Sequence, residues 1–294
     1  MSVASSIDLH AHSTASDGRL PPAELVERAA GAGVRVLALT DHDTLSGLPE
    51  ALTAAGPLGM QLVAGVEIST LWERREIHVV GLGVDPADAR LTDGLDWNQQ
   101  LRRQRFAQMV ERLEQKGGIT GLGGVMEEEV AGQPGRLHLA RHLVEHGWAR
   151  TVQQAFDRYL RRGRAGYVRA EWMSLESAVS LIRAAGGIAV LAHPLAYKLT
   201  GAWMQRLLTA FTQAGGQGLE VVVGTADRRR VDQSLGYALR HGLLGSVGSD
   251  FHGPNPAGIE PGRLLPLPAA VAPVWAELSD CHGRPVSAAV DPGR

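Results

Sequence analysis

Short apolar runs that end in histidine or an acid alternate with amphipathic helical stretches along most of this chain, and that alternation constrains the fold more than any other feature. The runs "SIDLHAH", "VRVLALTDHD" and "QLVAGVEIST" are separated by "PPAELVERAAGAG", with proline at a helix start, and by "GLPEALTAAGPLG". A second block repeats the pattern: "SLESAVSLIRAAGG" precedes "IAVLAHP", "WMQRLLTAFTQAGGQ" precedes "GLEVVVG", and "RRVDQSLGYALRHG" precedes "LLGSVGSDFH". Strands each followed by a helix predict a parallel sheet with crossover helices. Between the blocks, over about 98–170, strands nearly vanish and three stretches read as helices, which predicts a helical insertion in an otherwise regular α/β barrel. The expected division is therefore a barrel of residues 1–97 and 171–294 with a helical insertion or cap of residues 98–170.

A chain of 294 residues with 44% hydrophobic side chains can bury a large core. Its formal charge of -2 provides no global field to attract a polyanion, so a nucleotide would have to be held by a local patch. The single Cys281 excludes an internal disulfide and a thiolate zinc cluster, which fits a reducing compartment and leaves histidine and carboxylate as metal ligands. No segment reaches about 18 uninterrupted apolar residues, and the N-terminus lacks a basic region followed by an apolar core. The expectation is a cytoplasmic protein with no membrane partner.

His10 and His12 in "DLHAH" lie two apart on a strand, so their side chains point the same way and can grip one ion. Other strand ends carry Asp17 ("SDG"), His42 ("ALTDHD"), Glu67 ("AGVEIS"), His78 ("EIHVVG"), His193 ("VLAHP"), and Asp250 with His252 ("GSDFH"). In parallel barrels the C-terminal strand ends converge on one mouth. Nine candidate ligands exceed the needs of one ion; two or three divalent cations with bridging carboxylates would absorb them. Singly, each has a plainer reading: His193 a structural residue, Asp250 a helix cap, Asp17 a turn residue, Glu67 a solvated strand end. Four such motifs each closing a strand outweigh those readings together. His138, His142, His146 and His241 fall in helical patterns and read as surface or core, and His282 as tail. Asp8 and Asp41 read as partners that orient a histidine, and Asp43 fits either role.

The segments "DLHAHSTASDG", "LALTDHDT", "GVEIS", "HVVGLG", "LAHP" and "GSDFHG" together resemble the PHP superfamily, the polymerase and histidinol phosphatase group of metallohydrolases. The resemblance covers about residues 5–97 and 170–255. It implies a distorted (β/α)7 barrel, here with a mainly helical insertion, and a di- or trinuclear centre of manganese, zinc or iron that cleaves phosphate esters. All nine candidates match the family's metal positions, which implies a three-metal centre with manganese as the expected ion, acting through attack by a metal-bound water. Within the family the chain looks closest to phosphatases of nucleoside 3',5'-bisphosphates, whose relatives also trim RNA from its 5' end. The alternatives are a 5'-3' exonuclease on short RNA or DNA, a histidinol-phosphate-type phosphatase, and a non-enzymatic structural PHP domain, against which the complete ligand set argues.

A substrate with two phosphates needs positive groups away from the metals. Arg136 stands where "GQPGRLHLARHL" opens a helix, joining a guanidinium to free backbone N–H groups. In "RRGRAGYVRAEW", Arg164, with Arg161, Arg162 and Arg169, surrounds Tyr167 ahead of Trp172, a pairing of guanidinium with an aromatic face that suits a nucleotide. Lys198 after "AHPLAY" is a further phosphate contact. By contrast, "RRQR" at 102–105 and "RRR" at 228–230 read as solvent faces of helices. The expected partners are a small nucleotide substrate and short oligonucleotides, with no obligate protein partner.

Overall fold

The structure is a computed structural model and describes residues 5–122, 132–254 and 258–286. Seven strands form one sheet in chain order: β1 (Ile7–Ala11), β2 (Val36–Leu39), β3 (Gln61–Trp72), β4 (Arg75–Leu82), β5 (Ile188–Leu191), β6 (Gly218–Val223) and β7 (Leu244–Gly248). The sheet curls until its edges meet: Ala11 bridges Phe251, the Asp250 N–H donates to His10 O at 2.8 Å, and the His12 N–H to Phe251 O at 2.9 Å. A nearly closed seven-stranded α/β barrel results. β7 fits against β1 because Gly248 has no side chain; a Cβ there would lie 2.3 Å from His10 Cβ.

The barrel departs from the expected all-parallel pattern at one strand. β3 and β4 form an antiparallel hairpin, and β4 is antiparallel to β5 as well. Glu73 and Arg74 turn the hairpin with φ of 49° and 63°, the left-handed pair that a two-residue turn between twisted strands requires. No helix separates "VEIST" from "IHVVG", so the rule of one helix after each strand fails here. Because β4 runs the opposite way, its beginning, not its end, lies at the barrel mouth.

Helices α1 (Pro22–Gly31), α2 (Leu48–Ala55), α3 (Ala89–Gly117), α4 (Arg136–Glu145), the short α5 (Val152–Ala155), α6 (Leu175–Ala184), α7 (Gly201–Gln213) and α8 (Arg228–His241) complete the framework. Leu91 and Leu95 of α3 join the barrel core, whereas Phe106, Met109, Val110 and Leu113 of the same helix join a second apolar cluster with Leu139, Leu143, Tyr159 and Leu160. The sequence boundary at 97/98 thus falls inside one continuous helix that belongs to both cores. Asp88 caps α3, accepting from the N–H groups of Arg90 and Leu91. The second cluster docks on the barrel mouth through Arg141, whose guanidinium donates to Asp17 O at 2.7 Å and His252 O at 3.3 Å. Among the described residues, no helix is long and apolar enough to cross a membrane.

Candidate active site

The structure brings all nine candidates to the barrel mouth, although Glu67 and His78 stand inside β3 and β4 rather than at strand ends, because these two strands form a long hairpin that runs past the mouth. Donor atoms of His12, Asp17, His42 and His252 lie within 4.8 Å of one another, as do those of His10, His12 and Glu67, and those of His42, Glu67 and His78. His193 joins through Nε2, 2.9 Å from Glu67 Oε1, and Asp250 Oδ1 lies 3.6 Å from His10 Nε2 and 3.4 Å from His12 Nε2. Glu67 sits at the centre, with Oε1 facing His78 and His193 and Oε2 facing His10, His12 and His42. Asp250 and His193 both hold positive φ, 54° and 28°, so the backbone is bent to aim two of these side chains inward.

Unpaired buried polar atoms and carboxylates held ionised fit this set to divalent cations. Asp17 Oδ1, His42 Nδ1, Glu67 Oε2 and His193 Nδ1 are buried without a hydrogen bond. Two of them meet, His42 Nδ1 and Glu67 Oε2 at 3.0 Å, without hydrogen-bonding geometry. A buried polar atom left unsatisfied costs about 1–3 kcal/mol, and four in one cluster call for a further partner. Burial pushes the Glu67 carboxyl up, but the imidazoles of His78, His42 and His10 outweigh it and hold it well below the usual range. Burial likewise opposes ionisation of Asp250, and His10, His12 and His252 reverse that and hold it ionised. His252 is pressed down by burial yet lifted to about 10 by the Asp17 and Asp250 carboxylates. Burial drives His42 well below the ordinary imidazole value, toward the neutral form that offers a lone pair.

Beside the cluster lies a cavity of about 160 Å³, bounded on one side by Asp17, His42 and His78. Its other wall carries Arg102, Arg105 and Arg136 with Trp172. Arg102 donates through Nε and Nη2 to Asp43 and through Nη2 to Ser69 Oγ at 2.6 Å. Glu76 holds Arg105 at 3.0 Å and Arg136 at 2.9 Å; burial pushes its carboxyl up, and Arg136 and Arg105 overcome this and bring it down to about 2. Arg102 and Arg105 both lie over the Trp172 ring, at 5.0 and 5.3 Å from its centroid.

A family model described as "PHP domain" matches residues 8–168, more than half of the chain. A protein of Haemophilus influenzae named 5'-3' exoribonuclease is 45% identical over 91% of this chain and 97% of its own. A Chromobacterium violaceum protein named 3',5'-nucleoside bisphosphate phosphatase is 43% identical over 92% of this chain and 96% of its own. A solved structure of an amidohydrolase from Chromobacterium violaceum, with sulfate bound, superposes with a TM-score of 0.87 at 43% identity, covering 92% of this chain and 95% of that one. The chain belongs to the PHP family. It is accordingly an enzyme, a phosphoric ester hydrolase of that group, and its histidine and carboxylate cluster can bind metal ions.

Several expectations change in this PHP structure. Arg102 and Arg105 are not on a solvent face: each is 8% exposed, and only Arg103 and Gln104 between them face water. Arg136 does open α4 and reaches the cavity, but Arg164 and Lys198 are exposed, and neither they nor Tyr167 line it. Around Arg164 the segment folds into tight turns through backbone bonds, Arg164 N–H to Arg161 O and Tyr167 N–H to Arg164 O, and the Arg164 side chain stands in solvent. Asp8 orients no imidazole; it accepts from the N–H groups of His10, Ser249 and Gly262 and so fastens the barrel seam. Asp41 accepts from Ser13 and Ser16 and reaches His12 only through Ser16 Oγ, 3.5 Å from Nδ1. Asp43 anchors Ser69, Asn98 and Arg102, tying α3 to the barrel. His138 is no plain surface residue, since its Nδ1 accepts the Gly135 N–H at 3.2 Å beside Arg102. His142 stacks on His146, and His241 pairs with Gln205.

One residue that sequence reading missed is Glu220 of β6, 1% exposed. Its Oε1 accepts a hydrogen bond from His10 Nδ1–H at 2.7 Å, which leaves Nε2 facing Glu67, and its Oε2 accepts the His193 N–H. A lone acid inside "GLEVVVG" was the available signal, because a carboxylate in a buried strand needs a partner. Tyr197 was also missed; its hydroxyl accepts the His78 N–H and donates to Ala192 O, pinning β4 beside the His193 loop.

Proposed function

We propose that the protein hydrolyses the 3'-phosphate of nucleoside 3',5'-bisphosphates to give the 5'-monophosphate and inorganic phosphate. The observation that carries this reading is the basic, aromatic-walled cavity set directly against the imidazole and carboxylate cluster. One phosphate of such a substrate can lie at the cluster while the other meets guanidinium groups across the cavity. Arg102, Arg105 and Arg136 are already fixed there by Asp43 and Glu76, so little side-chain entropy is lost when a phosphate binds. Trp172 presents a ring to the cavity and a buried Nε1–H that makes no hydrogen bond, a donor suited to a bound nucleotide.

In this reading His10, His12, Asp17, His42, Glu67, His78, His193, Asp250 and His252 hold two or three divalent cations, manganese first, with zinc or iron as alternatives. Such cations, when bound, lower the pKa of a coordinated water and polarise the phosphoryl oxygens. Glu220 keeps the His10 proton on Nδ1 and its lone pair toward the mouth. The described part of the 98–170 insertion, through Phe106, Met109, Arg136 and Phe156, acts as a cap over a mononucleotide in the cavity. The name of the Chromobacterium violaceum relative accords with this chemistry, and the lone Cys281 accords with a cytoplasmic setting.

The test is to incubate manganese-loaded protein with adenosine 3',5'-bisphosphate, histidinol phosphate and a short 5'-phosphorylated RNA, measuring metal content on the same sample. The expected result is inorganic phosphate and 5'-AMP from the bisphosphate, with histidinol phosphate untouched. Survival of the bisphosphate in metal-loaded protein refutes the assignment.

A further inference from the structure

A second cavity, of about 200 Å³, adjoins the cluster and shares no lining residue with the cavity of Arg102 and Trp172. Its inner edge is formed by His193 and Asp250, two of the residues gathered at the mouth, so it opens on the same centre. It lies where β5, β6 and β7 end, between the turn Pro194–Tyr197 and the start of α8. Leu195, Val221, Val223 and Ile259 make its walls apolar, and Thr225 and Arg230 stand at its rim. Arg230 belongs to the "RRR" run at the first turn of α8 and is exposed, and Asp227 caps that turn by accepting the Arg230 N–H. Apart from His193 and Asp250, the bisphosphate reading uses none of these groups.

The need for a second cavity follows from the chemistry at phosphorus. In an in-line displacement the entering water oxygen and the departing O3' are apical and three oxygens are equatorial. In the 3'-phosphate of a bisphosphate none of the equatorial oxygens is esterified. In an oligonucleotide one of them carries the O5' bond to the next nucleotide, which must lie somewhere beside the centre. In the proposed reading the first nucleotide occupies the cavity under the cap. We infer that the His193–Asp250 cavity receives the second nucleotide of a 5'-phosphorylated single-stranded oligonucleotide, with Arg230 facing its 3'-phosphate. One centre then serves both a phosphatase and an exonuclease: a bond forms between the water oxygen and phosphorus, the P–O3' bond breaks with its electron pair going to O3', and a proton from the water ends on O3'. The products are a nucleoside 5'-monophosphate and a strand one nucleotide shorter with a 5'-phosphate. This inference rests on the proposed assignment of the centre and of the capped cavity.

The experiment compares wild type with Thr225→Trp, which fills the cavity, and Arg230→Glu, a surface change that spares folding. Each is assayed on adenosine 3',5'-bisphosphate and on a 5'-phosphorylated RNA trinucleotide. Thr225→Trp is expected to lower kcat/KM on the trinucleotide at least about tenfold, and Arg230→Glu to raise its KM several-fold, with phosphate release from the bisphosphate unchanged in both. A binding readout independent of turnover uses the trinucleotide with 4-thiouridine at the second position, photocrosslinked and mapped by mass spectrometry; the adduct is expected within residues 193–196 or 224–230. Equal losses on both substrates, no loss on the trinucleotide, or an adduct on the Trp172 side overturns the inference while leaving the bisphosphate reading intact. An adduct at 224–230 in a wild-type protein that leaves the bisphosphate uncleaved supports the cavity and refutes the mononucleotide assignment.

Discussion

Two arginine-rich runs, "RRQR" at 102–105 and "RRR" at 228–230, look alike in sequence and meet opposite fates. On α3, Arg102 and Arg105 turn inward, each against a carboxylate and over Trp172. On α8, Arg228, Arg229 and Arg230 all remain exposed, with only a loose contact from Arg228 to Asp232 at 3.6 Å. Helical phase alone does not separate them. The difference lies in what the facing strand supplies: the β3–β4 hairpin and the loop after β2 place Glu76 and Asp43 where α3 crosses, and nothing comparable among the described residues faces the outer side of α8. A buried guanidinium is tolerable only with such a partner, and the partner comes from a distant part of the chain.

The largest effect that would sharpen this contrast is expected from Arg102→Ala. It leaves Asp43, 0% exposed, without its cation, at a cost of about 3–5 kcal/mol in urea unfolding. A loss below about 0.5 kcal/mol, typical of a surface site, would break the comparison. The next effect is in the acid range. Glu76 has its carboxyl lowered from 4.5 to about 2, so its pairing with the arginines stabilises the fold fully above about pH 4.5 and is lost as pH falls toward 2. Glu76→Gln should therefore cost on the order of 3 kcal/mol at neutral pH and flatten the fall in stability between pH 4.5 and 2. Stability curves that run parallel across that range would show that Glu76 is not tied to its arginines in solution. The smallest effect belongs to the other run: Arg229→Ala should change unfolding free energy by no more than about 0.5 kcal/mol.

The same dependence on distant partners explains which parts of the site were legible. His10 and His12 announced themselves through a period of two on a strand, and His42, His193, Asp250 and His252 through their place just after strand ends, which is local information; Asp17 lies in the loop after β1 and Glu67 inside β3, and the fold brings both to the mouth. His78 was found at a strand edge, but its approach to the mouth depends on the reversed direction of β4. Arg164 and Tyr167 looked like a nucleotide contact because composition shows charge and aromaticity without direction; Trp172, five residues beyond Tyr167, is the aromatic of that stretch that lines the cavity.

The sequence by itself determined the alternation of strands and helices, the candidate ligands at their ends, and the helical character of the insertion, because each follows from periodicity and residue chemistry within a few neighbours. Only the tertiary structure decided that β4 reverses, that Glu220 rather than Asp8 or Asp41 orients His10, and that Arg102 and Arg105 turn inward. Those outcomes depend on which carboxylate meets which cation or imidazole across strands and helices far apart in the chain. Burial then makes each such meeting costly to leave unpaired.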